Sequence, residues 1–361
     1  MKPCDVIIVG AGPAGATLGR DLARRGLSVV MLEKEKLPRD KACAGGITRR
    51  TAGLLDIDIG TVAERLTHGA RMTYRLNGEC VKRHRRPFVY TVNRSAFDRM
   101  LVQQAQDAGA IVVEKTEVEG IAADGRSAKV VTTGGDFEAK IVAGADGAGG
   151  IVARSTGLMR GARLDLALKA EVSVGAGEMA RWDSLIGIDL GQLPGGYGWV
   201  FPKQERLSVG VGADARFSKK LKPYLEGLLR HVGIDEVGEV QGGLLPMRGK
   251  RMPIQRGNVL LVGDAAGLVN PMTREGIYYA ISSALLAAPV IAGALQPDVI
   301  DLSGYQRAVD ERLMPSLRMG GALRRVFTQS PRFCFSAVKR SDLLWEYVCW
   351  AMMGTKPVVE S

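Results

Sequence analysis

The stretch Asp5-Val6-Ile7-Ile8-Val9-Gly10-Ala11-Gly12-Pro13-Ala14-Gly15 decides how the rest of the chain is read. Its first five residues form a short, mostly apolar run of the kind that makes a buried parallel strand. Glycines follow at once. Ala14 to Gly26 then reads as a helix with Ala14, Leu18, Leu22 and Ala23 on its apolar face. In such a unit Gly10 permits the tight turn, Gly12 lets the backbone approach a pyrophosphate, and Gly15 lets helix and strand pack closely. The helix start, Pro13 included, turns its free N–H groups and positive dipole end towards the phosphates. A second apolar run, Ser28-Val29-Val30-Met31-Leu32, ends at Glu33, 18 residues after Gly15. A carboxylate there accepts hydrogen bonds from a ribose diol. A glycine-rich turn without a ligand is the plain alternative. Strand, helix, second strand and acid in register argue against it.

Two later segments extend the pattern. They are Gly144-Ala145-Asp146-Gly147 and Val262-Gly263-Asp264-Ala265-Ala266-Gly267. The first segment alone suits any dinucleotide. All three in this order point to FAD held along its whole length, and so to a redox enzyme.

The chain has 361 residues, 46% hydrophobic and 24% charged, an ordinary globular composition with room for two domains or one split domain. We expect no uncharged apolar run of about 18 residues, hence no spanning helix. The apolar strand begins so early that no signal peptide is expected. Five scattered cysteines, Cys4, Cys43, Cys80, Cys334 and Cys349, suggest a reducing, cytoplasmic setting and no metal site. The net charge of +11, with the dense run Lys82-Arg83-His84-Arg85-Arg86, favours anionic partners. No nucleic-acid motif accompanies it. An anionic membrane surface, met peripherally, is the preferred reading, and a solvated basic loop is the alternative.

Along the chain, Arg94 to Gly109 and Leu221–Val232 read as helices, as does a long apolar segment from Glu275 to Leu295. Ile111–Val113, Val118–Ala122 and Ala128–Thr132 read as strands, residues 165–215 as several strands broken by Gly and Pro, and 301–350 as mostly helical. The expected class is α/β. A Rossmann-like FAD-binding domain is split over 1–72, 90–160 and 245–296. An inserted antiparallel-sheet substrate domain takes 73–89 and 161–244, and a helical segment takes 297–361. Such a split suits a second domain that covers a cofactor.

These residues resemble the flavoprotein monooxygenase superfamily that includes para-hydroxybenzoate hydroxylase, and within it most closely the geranylgeranyl reductase family. The glycine fingerprint with Glu33 carries the resemblance, with Arg94-Ser95-Ala96-Phe97-Asp98-Arg99-Met100-Leu101, the segment from Gly144 to Arg154, and Gly263-Asp264 through Asn270-Pro271-Met272-Thr273-Arg274-Glu275-Gly276. Two segments select the family. Lys41-Ala42-Cys43-Ala44-Gly45-Gly46 resembles its Cys-containing loop. Tyr197-Gly198-Trp199-Val200-Phe201-Pro202, with Gly210-Val211-Gly212, resembles its aromatic signature. The resemblance implies flavin contacts at Lys34, Ala44, Gly45, Arg94, Asp146, Gly147, Gly263, Asp264, Gly276 and Ile277. It implies an isoprenoid pocket lined by Tyr197, Trp199, Phe201, Pro202, Gly210 and Gly212, with Cys43 as the candidate catalytic residue. The chain departs from the pattern at Gly150, where the family often has Ser, and at Arg274, where Gly is expected.

The expected activity is FAD-dependent saturation of double bonds in a geranylgeranyl or other polyprenyl chain, borne by a lipid, diphosphate, chlorophyll precursor or quinone. NAD(P)H or ferredoxin is the expected electron donor. The rival is an FAD-dependent monooxygenase or halogenase acting on an aromatic or apolar small molecule. The apolar C-terminal segment Leu343–Met353 either packs over the substrate domain or meets a membrane interface.

Overall fold

In a computed structural model, the first apolar run lies in the strand Cys4–Val9, at the centre of an eight-stranded sheet. The structure describes residues 3–235, 238–249, 252–296 and 300–353. Val29–Leu32 and Phe137–Gly144 flank the central strand in parallel, and Ile111–Val113 and Val259–Leu261 extend the sheet in parallel on either side. Val6, Ile7 and Ile8 have no exposed surface. This all-apolar pattern belongs to a strand covered on both faces. From Cys4–Val9 the chain winds outward first on one side and later on the other, so the strand order reverses between it and Phe137–Gly144. Ligands of open α/β sheets bind beyond the strands' carboxyl ends at that reversal.

The helix Pro13–Ala23 follows the first strand and packs against the helix Ile277–Ala294. The latter corrects one sequence expectation. It is an uncharged apolar run of 18 residues, long and apolar enough to cross a membrane. Most of it is buried, including Ile281, Ala284, Ala287, Ala288 and Ile291, so it serves here as a core helix.

The chain divides into two compact units. The first comprises Met1–Asp40, Ser95–Arg163 and Leu245–Met319, and the second Lys41–Arg94, Leu164–Leu244 and Gly320–Ser361. The second therefore takes in more than 73–89 and 161–244, and the helices from Gly320 join it. Long-range pairing is the cause: Gly46–Thr48 and Ala63–Thr67 both pair with Val89–Val92.

The second unit is built on a seven-stranded sheet ordered Val240–Met247, Arg163–Ser173, Arg206–Asp214, Tyr197–Pro202, Leu185–Leu190, Gly69–Tyr74 and Asn77–Arg83. The helix Ser218–His231 buries Leu221, Leu225, Leu228 and Leu229 against Val200, Val209 and Val211. Buried Asp189 ties that helix to the sheet by accepting from Tyr224 Oη (2.7 Å), Thr73 Oγ1 (2.6 Å) and the Leu76 N–H (2.7 Å). Elsewhere in the unit, Phe335, Trp345 and Cys349 of the C-terminal helices pack with Met72, Phe88 and Ile186. Burial of each large apolar side chain there is worth about 1.5–3 kcal/mol.

The helix Met314–Gln329 is pinned to the strand Arg163–Ser173 by a buried ion pair. Arg324 Nη1 lies 2.9 Å from Asp165 Oδ2, and Nη2 donates to Oδ1 at 3.2 Å. Asp165 has no exposed surface. Removing one partner leaves a buried charge uncompensated. Arg324→Ala should therefore lose about 3–5 kcal/mol in urea unfolding. Arg324→Met combined with Asp165→Leu should recover most of that loss, and failure to recover it would show that the pair does more than neutralise itself.

Candidate functional site

The three glycine segments lie at the carboxyl ends of three neighbouring parallel strands. Gly10 has φ +101°, and a Cβ on it would sit 2.5 Å from the Ala145 carbonyl oxygen. Both conditions exclude every other residue. The Ala145 N–H donates to the Val9 carbonyl at 2.8 Å, which holds Gly144–Gly147 beside Gly10. A Cβ on Gly15 would lie 1.9 Å from the Gly10 carbonyl oxygen, so the helix can start this close to the strand only with glycine there. The Val262 N–H donates to the Gly144 carbonyl at 2.9 Å and brings in the third segment. Gly263, at φ +60°, is wedged between Ala14 and Ala280. Asp264 Oδ1 lies 2.8 Å from where a Cβ of residue 276 would be, and Ile277 is the first residue of the helix that Gly276 caps.

This cradle fits FAD. The helix Pro13–Ala23 has Gly12 as its N-cap, with no side chain occupying its first-turn N–H groups. A Cβ on Gly12 would meet only the Arg39 guanidinium, at 3.7 Å. Two helix N-terminal ends, at Gly12–Ala14 and at Gly276–Ile277, are thus in place to meet anionic portions of a flavin dinucleotide.

Glu33 is buried and already has protein partners. Its Oε2 accepts from the Ala11 N–H at 3.0 Å and pairs with Arg39 Nη2 at 3.1 Å, while Oε1 accepts from the Glu35 N–H. A carboxylate has lone pairs left for a ribose diol. Arg39 Nη1 bonds Asp98 Oδ2 at 3.0 Å. Burial opposes the Arg39 charge, but Glu33 and Asp98 outweigh it and hold its pKa above the usual arginine value. Arg39 and Asp98 are site residues that sequence reasoning missed. Lys34 points to solvent.

Asp146 accepts from the Val152 N–H at 3.0 Å through Oδ2. Its Oδ1 is buried without a hydrogen-bond partner. Burial is the main influence on this carboxyl and raises its pKa. The carboxyl also explains Gly150, because a Cβ there would lie 2.1 Å from Asp146 Cγ. Gly147 follows at φ +74°. Arg274 is buried at φ +57°, the left-handed conformation that suits the expected glycine and costs other residues roughly 1–2 kcal/mol.

Within the second unit, the Cys43 loop and the aromatic strand meet. A Cβ on Gly46 would lie 2.5 Å from the Phe201 ring. The Gly45 N–H lies 3.4 Å from Cys43 Sγ and donates to it, and Gly45 at φ +78° packs on the Val92 carbonyl. Lys203 Nζ, just past Pro202, lies 3.7 Å from the Cβ position of Gly45. Ala44 is half-buried, and Arg94 is buried at the start of the helix Arg94–Asp107. Trp199 lies across Gly210, where a Cβ would be 2.1 Å from its ring. Tyr197 pairs in register with Gly212, and its ring is 6.3 Å from that of Trp199.

The neighbouring strand Arg163–Ser173 and the turn after Pro202 carry charge that the sequence did not announce. Buried Lys169 and Lys203 share Glu171 Oε1 at 3.1 and 3.0 Å, and Arg206 Nε approaches Oε2 at 3.2 Å. Burial disfavours the Glu171 carboxylate, but the two ammonium groups prevail and hold its pKa below the usual glutamate value.

Residues 3–181 match the family described as "FAD binding domain". The chain is 33% identical over 332 residues to digeranylgeranylglycerophospholipid reductase 1 of Methanopyrus kandleri, covering 85% of each chain. It is 34% identical over 350 residues to digeranylgeranylglycerophospholipid reductase of Methanothrix thermoacetophila, covering 87% of this chain and 84% of that one. A solved geranylgeranyl bacteriochlorophyll reductase-like protein of Thermoplasma acidophilum superposes with a TM-score of 0.80 at 25% identity, over 91% of this chain and 88% of that one. The flavin-dependent brominase Bmp2, 20% identical with a TM-score of 0.78, shares the fold.

Two outcomes are expected of the first unit. Gly150→Ser forces the Asp146 carboxyl aside and should destabilise the protein by about 1–3 kcal/mol, with a fall in bound FAD measured by absorbance after gel filtration. Asp146 is buried with its pKa raised, so the folded apo-protein favours the neutral acid. That contribution is complete below the ordinary value of 3.8 and is lost as pH rises through the folded pKa. Apo Asp146→Asn should therefore exceed the wild type in melting temperature at neutral pH, and the gap should close on acidification towards about pH 4.

Proposed function

Because the chain belongs to the geranylgeranyl reductase family of FAD-dependent oxidoreductases, we propose that it saturates carbon–carbon double bonds in the geranylgeranyl chain of a lipid. The observation that carries this reading is the meeting of the Cys43 loop with the strand Tyr197–Pro202 at Gly46 and Phe201. Two segments far apart in sequence, each resembling this family's pattern, come into close approach there.

The chemistry that FAD supplies when bound and reduced is a hydride, which becomes a C–H bond at one alkene carbon as the double bond is consumed. Residues of the cradle would hold the cofactor: the first-turn N–H groups after Gly12 its phosphates, Glu33 its ribose, and Asp264 with the turn at Gly276 its flavin end. The rings of Trp199 and Phe201 offer apolar surface to an isoprenoid and exclude water from it. The second alkene carbon needs a proton, and Cys43 Sγ–H is the proposed source. NAD(P)H or ferredoxin is the proposed electron donor, ferredoxin suiting a chain of net charge +11.

The decisive experiment reduces the purified flavoprotein without oxygen and adds a geranylgeranylated glycerophospholipid. Flavin reoxidation with a gain of two hydrogens per double bond is expected by absorbance and mass spectrometry. Flavin that stays reduced until oxygen enters, followed by oxygen or halide in an added aromatic substrate, would replace this reading with the monooxygenase or halogenase one. Cys43→Ala should slow lipid-driven reoxidation by about a hundred- to ten-thousand-fold with FAD content unchanged. An unchanged rate would remove Cys43 as the proton source.

A further inference from the structure

The last three helices of the second unit have two apolar faces where a surface helix has one. On the helix Asp342–Met353, Trp345 and Cys349 form the inner stripe, one turn apart and buried. Trp345 Nε1 donates to the Arg83 carbonyl at 3.1 Å, Glu346 meets His84 Nε2 at 3.1 Å, and Asp342 bonds Lys82, so this inner side is fully engaged. Leu343, Tyr347 and Trp350, at i, i+4 and i+7, form a second stripe on the opposite side, 58%, 46% and 46% exposed. The helix Pro331–Arg340 repeats the arrangement. Phe335 is buried and Phe333, two residues earlier and across the helix, is 73% exposed. Leu323 and Val326 of the preceding helix are exposed as well.

The exposed charges of these helices are almost all basic, and the neighbouring exposed acid Glu79, beside Lys339, is paired with Arg71. Arg325, Arg332, Lys339 and Arg340 are exposed, and the exposed acid among the described residues of these helices, Asp342, is held by Lys82. Exposed Trp, Tyr, Phe and Leu bordered by Arg and Lys match the layered chemistry of an anionic bilayer surface. There aromatic rings settle at headgroup depth and cations meet lipid phosphates. An ordinary water-facing helix would show a polar face at these positions.

We propose that the helices between Gly320 and Met353 form a peripheral docking surface for an anionic phospholipid bilayer, with Phe333, Leu343, Tyr347 and Trp350 entering the headgroup layer and Arg332, Lys339 and Arg340 pairing with phosphates. Docking does not depend on the reductase reading, because vesicle binding is read without turnover.

The test is flotation of the full-length, FAD-loaded protein with phosphatidylcholine vesicles and with vesicles that also contain phosphatidylglycerol. Binding is expected to the second kind and to weaken with salt. The variant Phe333→Ser/Tyr347→Ser/Trp350→Ser should reduce the bound fraction at least about tenfold with its FAD content and circular dichroism retained, since these side chains support no core. Arg332→Glu/Lys339→Glu/Arg340→Glu should abolish the preference for the anionic vesicles. Wild-type protein that stays in the aqueous fraction with anionic vesicles at low salt would overturn the proposal. So would a serine variant that binds as well as the wild type. Light scattering that finds a wild-type dimer and a monomeric serine variant would assign the face to a second copy instead.

Discussion

Gly10 and Ala145 belong to segments more than 130 residues apart, yet a single methyl group between them would lie 2.5 Å from a carbonyl oxygen. This close approach sets the spacing of everything at the carboxyl edge of the first sheet. It lets Cys4–Val9 and Phe137–Gly144 end side by side, and the Ala145 N–H keeps them so through the Val9 carbonyl. Gly15 then seats the helix against the turn, and Gly263 seats the third segment against that helix. Each glycine is needed because its predecessor has already brought backbone too near for a side chain. The cradle is thus a chain of steric dependences more than a set of separate motifs.

Around it, charge is handled in two ways. At Glu33 the carboxylate is met by Arg39 and by the backbone N–H groups of Ala11 and Glu35, and the same guanidinium also binds Asp98. At Asp146 backbone N–H groups and the charge of Arg154 favour the carboxylate, but burial outweighs them and pushes the group towards its neutral form. The second unit uses the first method again at Glu171, with two lysines and an arginine around one carboxylate. Buried charges of this kind are tolerated only where partners are this close.

The first unit was legible wherever function and local geometry coincide. The strand, the glycines and the helix Pro13–Ala23 stand where the spacing of Asp5 to Gly26 places them. The signal was strong because one short stretch had to satisfy strand, turn and helix rules together. Arg39 was illegible because nothing local marks it; its meaning lies in Asp98, far along the chain. Gly150 read as a departure until Asp146 was seen to occupy the space. The uncharged length of Ile277–Ala294 was misjudged, and only its packing against Pro13–Ala23 shows its role. The allocation of 41–72 and of the helices after Gly320 follows from pairing with Val89–Val92 and packing with Phe88, contacts that periodicity cannot see.

The order of strands also has a consequence for synthesis. The central strand is made well before its neighbour Phe137–Gly144, and longer still before the next strand, Val259–Leu261. At about 5–20 residues per second, Val9 waits on the order of ten seconds for its second partner, Phe137–Gly144, to be translated. During that interval Val6, Ile7 and Ile8 have a partner on one side alone, the strand Val29–Leu32 brought back by the helix between them. The nascent first unit therefore exposes an unpaired, wholly apolar strand edge, which makes it a natural client for a ribosome-associated chaperone until the middle of the chain emerges.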